Sequence, residues 1–225
     1  MNTDVSGQSQ RRVKVWDLPT RAFHWLLAAS VVGSFITVKL GLMEWHGRIG
    51  GFVLSLLLFR LVWGFWGSET ARFARFVPSP QRLVRYLRGQ AEPQLGHNPL
   101  GALSVMALLG AFTLQALAGL ATSDEIAYDG PLVSVVSDAW VEWAGWVHLT
   151  TEPLLLVLVG LHLVAIGFYR VRRKQNLLRP MLTGYTSAEQ VVAGQEVRDR
   201  WSDRLRAALL WGLAACGVAM IFIGV

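Results

Sequence analysis

The chain has 225 residues, of which 53% are hydrophobic and 16% charged, and its mean hydropathy is +0.40. This composition is too apolar for a soluble domain of this size and predicts an integral membrane protein. The formal net charge of +6 does not call for a nucleic-acid partner, because excess Lys and Arg also mark the loops that orient membrane proteins. The single cysteine, Cys216, excludes an internal disulfide.

Five apolar segments follow one another along the chain. A membrane-spanning helix needs about 20 mostly apolar residues, and the sequence predicts spans at about 18–39, 45–66, 99–122, 145–169 and 207–225. The first is interpreted as a retained span, because no small-residue cleavage site of a signal peptide follows Ala22–Val38. At the third, Asn98 is the predicted N-cap and Pro99 the first helical residue.

Charge is distributed unevenly over the segments between these spans. The basic residues concentrate in residues 1–21, in residues 67–98 and directly after the fourth span. Residues 122–146 contain no Lys or Arg but hold five acids, namely Asp124, Glu125, Asp129, Asp138 and Glu142. The positive-inside rule therefore predicts a multi-pass membrane protein with a cytoplasmic N-terminus and an outer acidic loop.

These features predict an all-α integral membrane fold with five transmembrane helices, the fifth of them C-terminal. We divide the chain into a cytoplasmic N-terminal segment at 1–17, the four-helix membrane domain at 18–183, a cytoplasmic amphipathic connector at 184–206 and the C-terminal helix at 207–225. Within the connector, Thr186-x-x-Glu189 has the form of a capping box.

Four of the five histidines lie in predicted spans or at their ends, namely His24, His46, His148 and His162. An ionisable residue inside a membrane is costly and therefore suggests a function. His148 and His162 are 14 residues apart, so their side chains leave nearly the same helical face, about 21 Å apart along the axis. Depth pairs His24 with His162 near the cytoplasmic surface and His46 with His148 near the outer surface.

Each predicted pair fits an iron porphyrin. Two imidazoles that face each other across a bundle core form a bis-histidine haem site. A single membrane histidine usually makes an interhelical hydrogen bond, but four that pair by depth favour ligation. Two ligands are too few for a closed zinc site, whereas haem supplies four nitrogens itself. Because no C-x-x-C-H motif occurs, the sequence predicts two haem b groups, with the four histidines as iron ligands.

Several motifs together resemble the bacterial cytochrome b561 family. They are Trp16-Asp-Leu-Pro-Thr-Arg-Ala-Phe-His24-Trp25, Trp45-His46-Gly47, Gly96-His97-Asn98-Pro99-Leu100-Gly101, and His148 with His162 fourteen residues later. This family includes the cytochrome b subunits of nickel–iron hydrogenases and the superoxide oxidase. The resemblance covers roughly residues 13–183 and implies a four-helix bundle with two haem b groups that exchanges electrons with quinone. The fifth span is an addition to that bundle.

Three arginines are candidates for the haem propionates. Arg60 lies 14 residues after His46, near the same helical face, where a propionate of the inner haem would be a bidentate acceptor. The alternative is that Arg60 snorkels to the cytoplasmic interface. Arg21 and Arg48 flank ligand positions and are further candidates.

Two other features have alternative interpretations. His97 is either a proton donor at a quinone site or a structural residue beside a helix cap, and it is not counted as a haem ligand. Trp140, Trp143 and Trp146 indicate either an amphipathic helix on the outer membrane face or an ordinary aromatic belt.

The function that these residues favour is electron transfer across the membrane between the quinone pool and a periplasmic redox partner such as a c-type cytochrome. The acidic loop would attract a basic partner. A superoxide oxidase that reduces quinone would instead gain from a positive funnel near the outer haem. A third possibility is the membrane cytochrome b subunit of a hydrogenase or dehydrogenase, with the fifth span as a docking element. A transporter or channel leaves the histidine register unexplained.

Overall fold

The computed structural model of the chain describes residues 12–90, 95–126, 128–187 and 197–224. Within these residues it consists of eight α-helices, one 3-10 helix at Val133–Val135 and one small two-stranded sheet. In chain order the elements are β1 (Arg12–Lys14), α1 (Leu18–Lys39), α2 (Met43–Trp66), α3 (Phe73–Phe76), α4 (Pro80–Leu87), α5 (Pro99–Gly119), α6 (Asp138–Val171), α7 (Leu178–Thr183), β2 (Tyr185–Ser187) and α8 (Trp201–Ile223).

Five of these helices, α1, α2, α5, α6 and α8, are long and apolar enough to cross a membrane. The predicted all-α membrane fold with a fifth C-terminal helix is therefore confirmed. The Asn98 side chain accepts a hydrogen bond from the Gly101 amide, as expected of an N-cap. α8 begins at Trp201, six residues earlier than predicted, so the charged turn before Ala207 is helical. The Asp203 side chain caps this helix start by accepting a hydrogen bond from the Arg200 amide.

The fourth span is longer than the sequence suggested. α6 runs for 34 residues without a break and contains Pro153. Trp140, Trp143 and Trp146 belong to its first turns and are exposed. They do not form a separate surface helix, so the aromatic-belt interpretation is the one that agrees with the structure.

α2 is the central helix of the bundle. It packs against α1, α5 and α8, and its Leu54, Leu56 and Leu57 are at most 2% exposed. α6 packs extensively against α5 and makes no comparable contact with α1 or α2. The outward faces of the long helices are apolar and exposed, as at Val164 and Leu213, which suits contact with lipid.

The end of the bundle where the described chain begins is rich in Arg and Lys and is called the basic end below. Here β1 pairs with β2 in antiparallel fashion, with Lys14 opposite Tyr185. Asp199 accepts from Lys14 Nζ at 2.6 Å and from Arg204 Nε at 2.9 Å. Burial acts to raise the pKa of Asp199, but these two cations outweigh it and lower the pKa to about 2. The N-terminal segment is thereby fastened to the start of α8.

The opposite end, called the acidic end, carries the connection between α5 and α6. Its backbone folds back on α5, since the Leu132 amide donates to the Leu120 carbonyl at 2.8 Å. Tyr128 packs directly on Gly47 of α2, where an added Cβ would overlap the tyrosine hydroxyl. At the basic end, the predicted capping box of the connector cannot be compared, because Glu189 lies outside the described residues, and Thr186 belongs to β2.

Candidate functional site

The structure brings the four histidines together in two pairs. The imidazoles of His24 on α1 and His162 on α6 have ring centroids 6.4 Å apart, at the basic end. Those of His46 on α2 and His148 on α6 have centroids 6.2 Å apart, at the acidic end. These are the pairs that depth predicts, and they form although Pro153 lies between the two α6 histidines.

The spacing within each pair suits one metal ion between two rings. Imidazole nitrogens bind a metal at about 2 Å, so two rings on opposite sides of one ion have centroids about 6 Å apart. In the part of the chain that the structure describes, no group of three or more His, Cys, Asp or Glu side chains converges. The pairs therefore fit haem, which needs two protein ligands, better than zinc, which needs more.

Backbone carbonyls orient the two imidazoles at the acidic end. His46 Nδ1 lies 3.2 Å from the Ser34 carbonyl of α1, and His148 Nδ1 lies 3.0 Å from the Gln115 carbonyl of α5. Because a carbonyl oxygen only accepts, each Nδ1 carries the hydrogen and each Nε2 keeps its lone pair. Both rings thus have the tautomer that an iron ligand at Nε2 requires.

The ring of His148 is also confined by a glycine. A Cβ added to Gly119 of α5 would lie 3.0 Å from His148 Cε1 and 3.3 Å from Nδ1. Any larger residue at this position would have to push the imidazole aside. The close approach of α5 to α6 therefore depends on glycine at the point where the ligand is held.

The basic-end pair is held differently. His24 Nδ1 is buried and has no hydrogen-bond partner among the described residues. The ring instead meets the indole of Trp25 edge-on, with centroids 4.9 Å apart. The two sites are thus unequal in their surroundings, although both present two facing imidazoles.

Arg60 is the most buried cation near the basic end, with 2% of its surface exposed. Its Nη2 donates to the Ala71 carbonyl at 3.2 Å, and the guanidinium lies 5.1 Å from the centre of the Phe73 ring. Its Nη1 has no partner among the described residues. Arg60 therefore does not snorkel to water, and an enclosed cation with a spare donor suits an anionic group such as a propionate.

Asp17 was not among the predicted site residues. It is 2% exposed, and its two oxygens accept from the Thr20 amide at 2.8 Å and from Trp63 Nε1 at 3.0 Å. The N-cap role was recognisable, because Asp precedes Leu-Pro-Thr at the start of the first apolar segment. The bond to Trp63 joins residues far apart in sequence and had no such signal.

His97 lies between two aromatic rings. Its centroid is 4.6 Å from that of Trp16 and 4.8 Å from that of Phe76. Burial lowers the pKa of His97 to about 3, and the charge of Arg60 adds to this. The ring is therefore neutral at physiological pH, which favours the structural role over that of a proton donor.

The two remaining arginine candidates already have partners. Arg21 Nη2 donates to the Leu182 carbonyl at 2.6 Å. Arg48 Nη2 lies 2.5 Å from Glu44 Oε1, and the guanidinium lies over the Trp45 ring at 5.2 Å. Since Arg48 is two residues from His46, it leaves α2 on nearly the opposite side from that ligand. Neither residue fits a propionate as well as Arg60 does.

Two facing imidazole pairs, at opposite ends of a bundle with five long apolar helices, define a multi-pass membrane protein of the cytochrome b class. The family model described as Prokaryotic cytochrome b561 matches residues 15–184. The chain therefore belongs to this family and is a membrane b-type cytochrome, for which the family implies haem b. α8 lies beyond the matched region.

Two relatives carry the same printed description, "Probable Ni/Fe-hydrogenase B-type cytochrome subunit". The protein of Azotobacter vinelandii is 24% identical, over 79% of this chain and 90% of its own length. The protein of Azotobacter chroococcum mcd 1 is 25% identical over the same shares. No solved structure matches the chain significantly.

Proposed function

We propose that the protein is a di-haem b-type cytochrome that carries electrons across the bacterial inner membrane, between the quinone pool and a periplasmic redox partner. The observation that carries this proposal is the presence of two imidazole pairs at opposite ends of one bundle. Their ring centroids are 6.4 Å apart in one pair and 6.2 Å apart in the other. Two redox centres stacked through the bilayer are what a transmembrane electron path requires. The di-haem domain would comprise residues 18–183, with α8 as an added helix.

In this proposal His24 and His162 hold the basic-end haem, and His46 and His148 hold the acidic-end haem. Each haem, when bound, supplies an iron that takes up and gives back one electron. The chain contributes orientation through the carbonyls of Ser34 and Gln115. Arg60 contributes a buried positive charge and a free donor toward a propionate of the basic-end haem.

The orientation of the bundle is part of the proposal. The basic end faces the cytoplasm and the acidic end faces the periplasm, because cytoplasmic segments carry the excess of Lys and Arg. The N-terminus is then cytoplasmic. The acidic-end haem would be the one that exchanges electrons with the periplasmic partner.

The partner favoured here is a basic c-type cytochrome, because the acidic loop would steer a basic protein toward the acidic-end haem. A second candidate is that the chain is the membrane cytochrome b subunit of a hydrogenase or dehydrogenase. The printed descriptions of both Azotobacter relatives support that alternative. A superoxide oxidase is less well supported, because an anionic substrate would meet an acidic surface.

The first experiment is a dithionite-reduced-minus-oxidised spectrum of the purified chain together with its haem content. The proposal expects a b-type band and two haems per chain, and a protein without that band contradicts it. Reduction by a quinol then tests the exchange with quinone. Electron transfer to a basic cytochrome c should slow as ionic strength rises. Faster reaction with superoxide than with any cytochrome c would favour the oxidase instead.

A further inference from the structure

A cavity of about 550 Å³ lies at the acidic end, between α2, α8 and the connection from α5 to α6. Its size falls within the range of pockets for small organic ligands, roughly 300–1,000 Å³. It is built partly by α8, which lies outside the region matched by the family. The cavity is thus a feature of this chain rather than of the four-helix bundle.

The cavity is amphiphilic. Its rim carries Glu44, Arg48, Tyr128 and Asp129, whereas the side chains of Phe52 and of the α8 residues Ala215, Val218, Ala219 and Phe222 form an apolar wall. Arg48 and Tyr128 offer hydrogen-bond donors, and the two carboxylates offer acceptors. A ligand that fits has an apolar body with oxygen atoms at one end.

The cavity is separate from the two imidazole pairs. One face of α2 carries Arg48, Phe52 and Ser55, which are three or four residues apart, and this face points toward α8. His46 leaves α2 on the other side, toward His148. A ligand in the cavity would therefore lie beside the acidic-end haem with only α2 between them.

The walls of the cavity are fixed by contacts that α8 makes along α2. Trp211 Nε1 donates to Ser55 Oγ at 3.2 Å. Val218 packs with Leu54 in a buried cluster, and a Cβ added to Gly51 would lie 2.8 Å from Phe222. The wall is therefore preorganised, which lowers the cost of binding a ligand there.

We propose that this cavity binds the head group of a membrane quinone, a ligand class that rests on the proposed function. Phe52 and Phe222 suit a flat ring, and Arg48 and Tyr128 suit its two oxygens. A phospholipid fits the rim less well. The two acids outnumber the one arginine, and Arg48 is already paired with Glu44, so a phosphate would meet net negative charge.

The test compares two tryptophan substitutions on α8. Ala219 lines the cavity, whereas its neighbour Met220 does not and is 66% exposed on the outside of the bundle. The full chain with its haems is placed in phosphatidylcholine nanodiscs, and binding of decyl-benzoquinone and of its naphthoquinone counterpart is measured by equilibrium dialysis. Ala219→Trp should weaken binding about tenfold by filling the cavity, and Met220→Trp should leave it unchanged.

A second variant tests the polar rim of the cavity and leaves the cavity volume nearly unchanged. Tyr128→Phe removes one hydroxyl donor and should weaken quinone binding about fivefold with haem content unchanged. An azido-quinone should label peptides that contain Tyr128 or residues 215–222. Equal affinities of Ala219→Trp and Met220→Trp, or labelling elsewhere only, would overturn the proposed site. If quinol still reduces the haems in that case, the proposed function stands with its quinone site elsewhere. If quinol fails to reduce the haems of the unaltered protein, the proposed function itself fails.

Discussion

Gly119 and His148 face each other across the contact between α5 and α6, and a side chain on Gly119 would fit only if the imidazole shifted. A Cβ on Gly119 would lie 3.0 Å from His148 Cε1. One turn earlier on α5, the Gln115 carbonyl accepts from Nδ1 of the same ring at 3.0 Å. α5 carries no predicted ligand, yet it both orients and confines one.

Gly119→Ala should therefore disturb the acidic-end haem. The methyl group displaces the His148 ring and weakens its bond to the Gln115 carbonyl, and loss of such an orienting contact costs about tenfold or more in metal affinity. Gly110→Ala is the matched control on the same helix, because a Cβ there meets nothing within 4 Å. Pyridine haemochrome assays should give a lower haem content for Gly119→Ala alone. Equal contents in both variants would show that the close approach does not matter for haem binding.

Substitution of a single histidine should remove a single haem. His162→Ala leaves His24 without its partner and should lower the content from two haems to one, while the acidic-end pair remains. His148→Ala should remove the other haem. His97→Phe keeps an aromatic ring between Trp16 and Phe76 and should retain both. Two haems in purified His162→Ala would refute the basic-end assignment.

Arg60→Gln should lower the reduction potential of one haem. Adding an electron is easier near a buried positive charge, so its removal should shift the basic-end haem by on the order of 50 mV to lower potential. The acidic-end haem should not change, because Arg60 lies at the other end of the bundle. A redox titration followed at the b-type band measures both. Loss of thermal stability with unchanged potentials would mean that Arg60 is structural only.

Asp199→Asn should loosen the attachment of α8 to the N-terminal segment. Lys14 and Arg204 lower the pKa of Asp199 to about 2 from an ordinary 3.8. Between these values the unfolded chain binds a proton that the folded chain does not, so the stabilisation is complete above pH 3.8 and is lost as the pH falls toward 2.

At neutral pH the variant should melt about 3 °C lower than the unaltered protein. This difference should stay constant from pH 5 to 8 and shrink below pH 3.8. Glu69→Gln, which breaks the exposed contact with Arg75 at 3.9 Å, is the control and should have little effect. If the difference in melting temperature between Asp199→Asn and the unaltered protein grew as the pH fell, its sign would be wrong. That result would exclude the ion pairs of Asp199 as the cause.

Much of the fold follows from local sequence. The apolar segments are long enough to span a bilayer, and the first helix has its predicted bounds, 18–39. Two helices begin earlier than the apolar segments predict, because charged or aromatic residues next to a span can continue the helix into the interface, as at Trp140 and Asp203. The depth of a residue in the membrane follows from its position along the span. This depth alone predicts the pairing of His24 with His162 and of His46 with His148.

What lies around each histidine was decided by tertiary structure. The composition of α2 does not reveal that one of its faces meets α8 and another meets α1, since both faces are mostly apolar. The bonds of His46 and His148 run to backbone carbonyls, which have no sequence signature. The burial of Arg60 beside Phe73 and the contact of Asp17 with Trp63 likewise join distant segments. Sequence by itself determined which residues could hold haem, because a histidine in an apolar span is recognisable locally. Only the packing of helices decided how each ring is oriented, because orientation depends on neighbours from other helices.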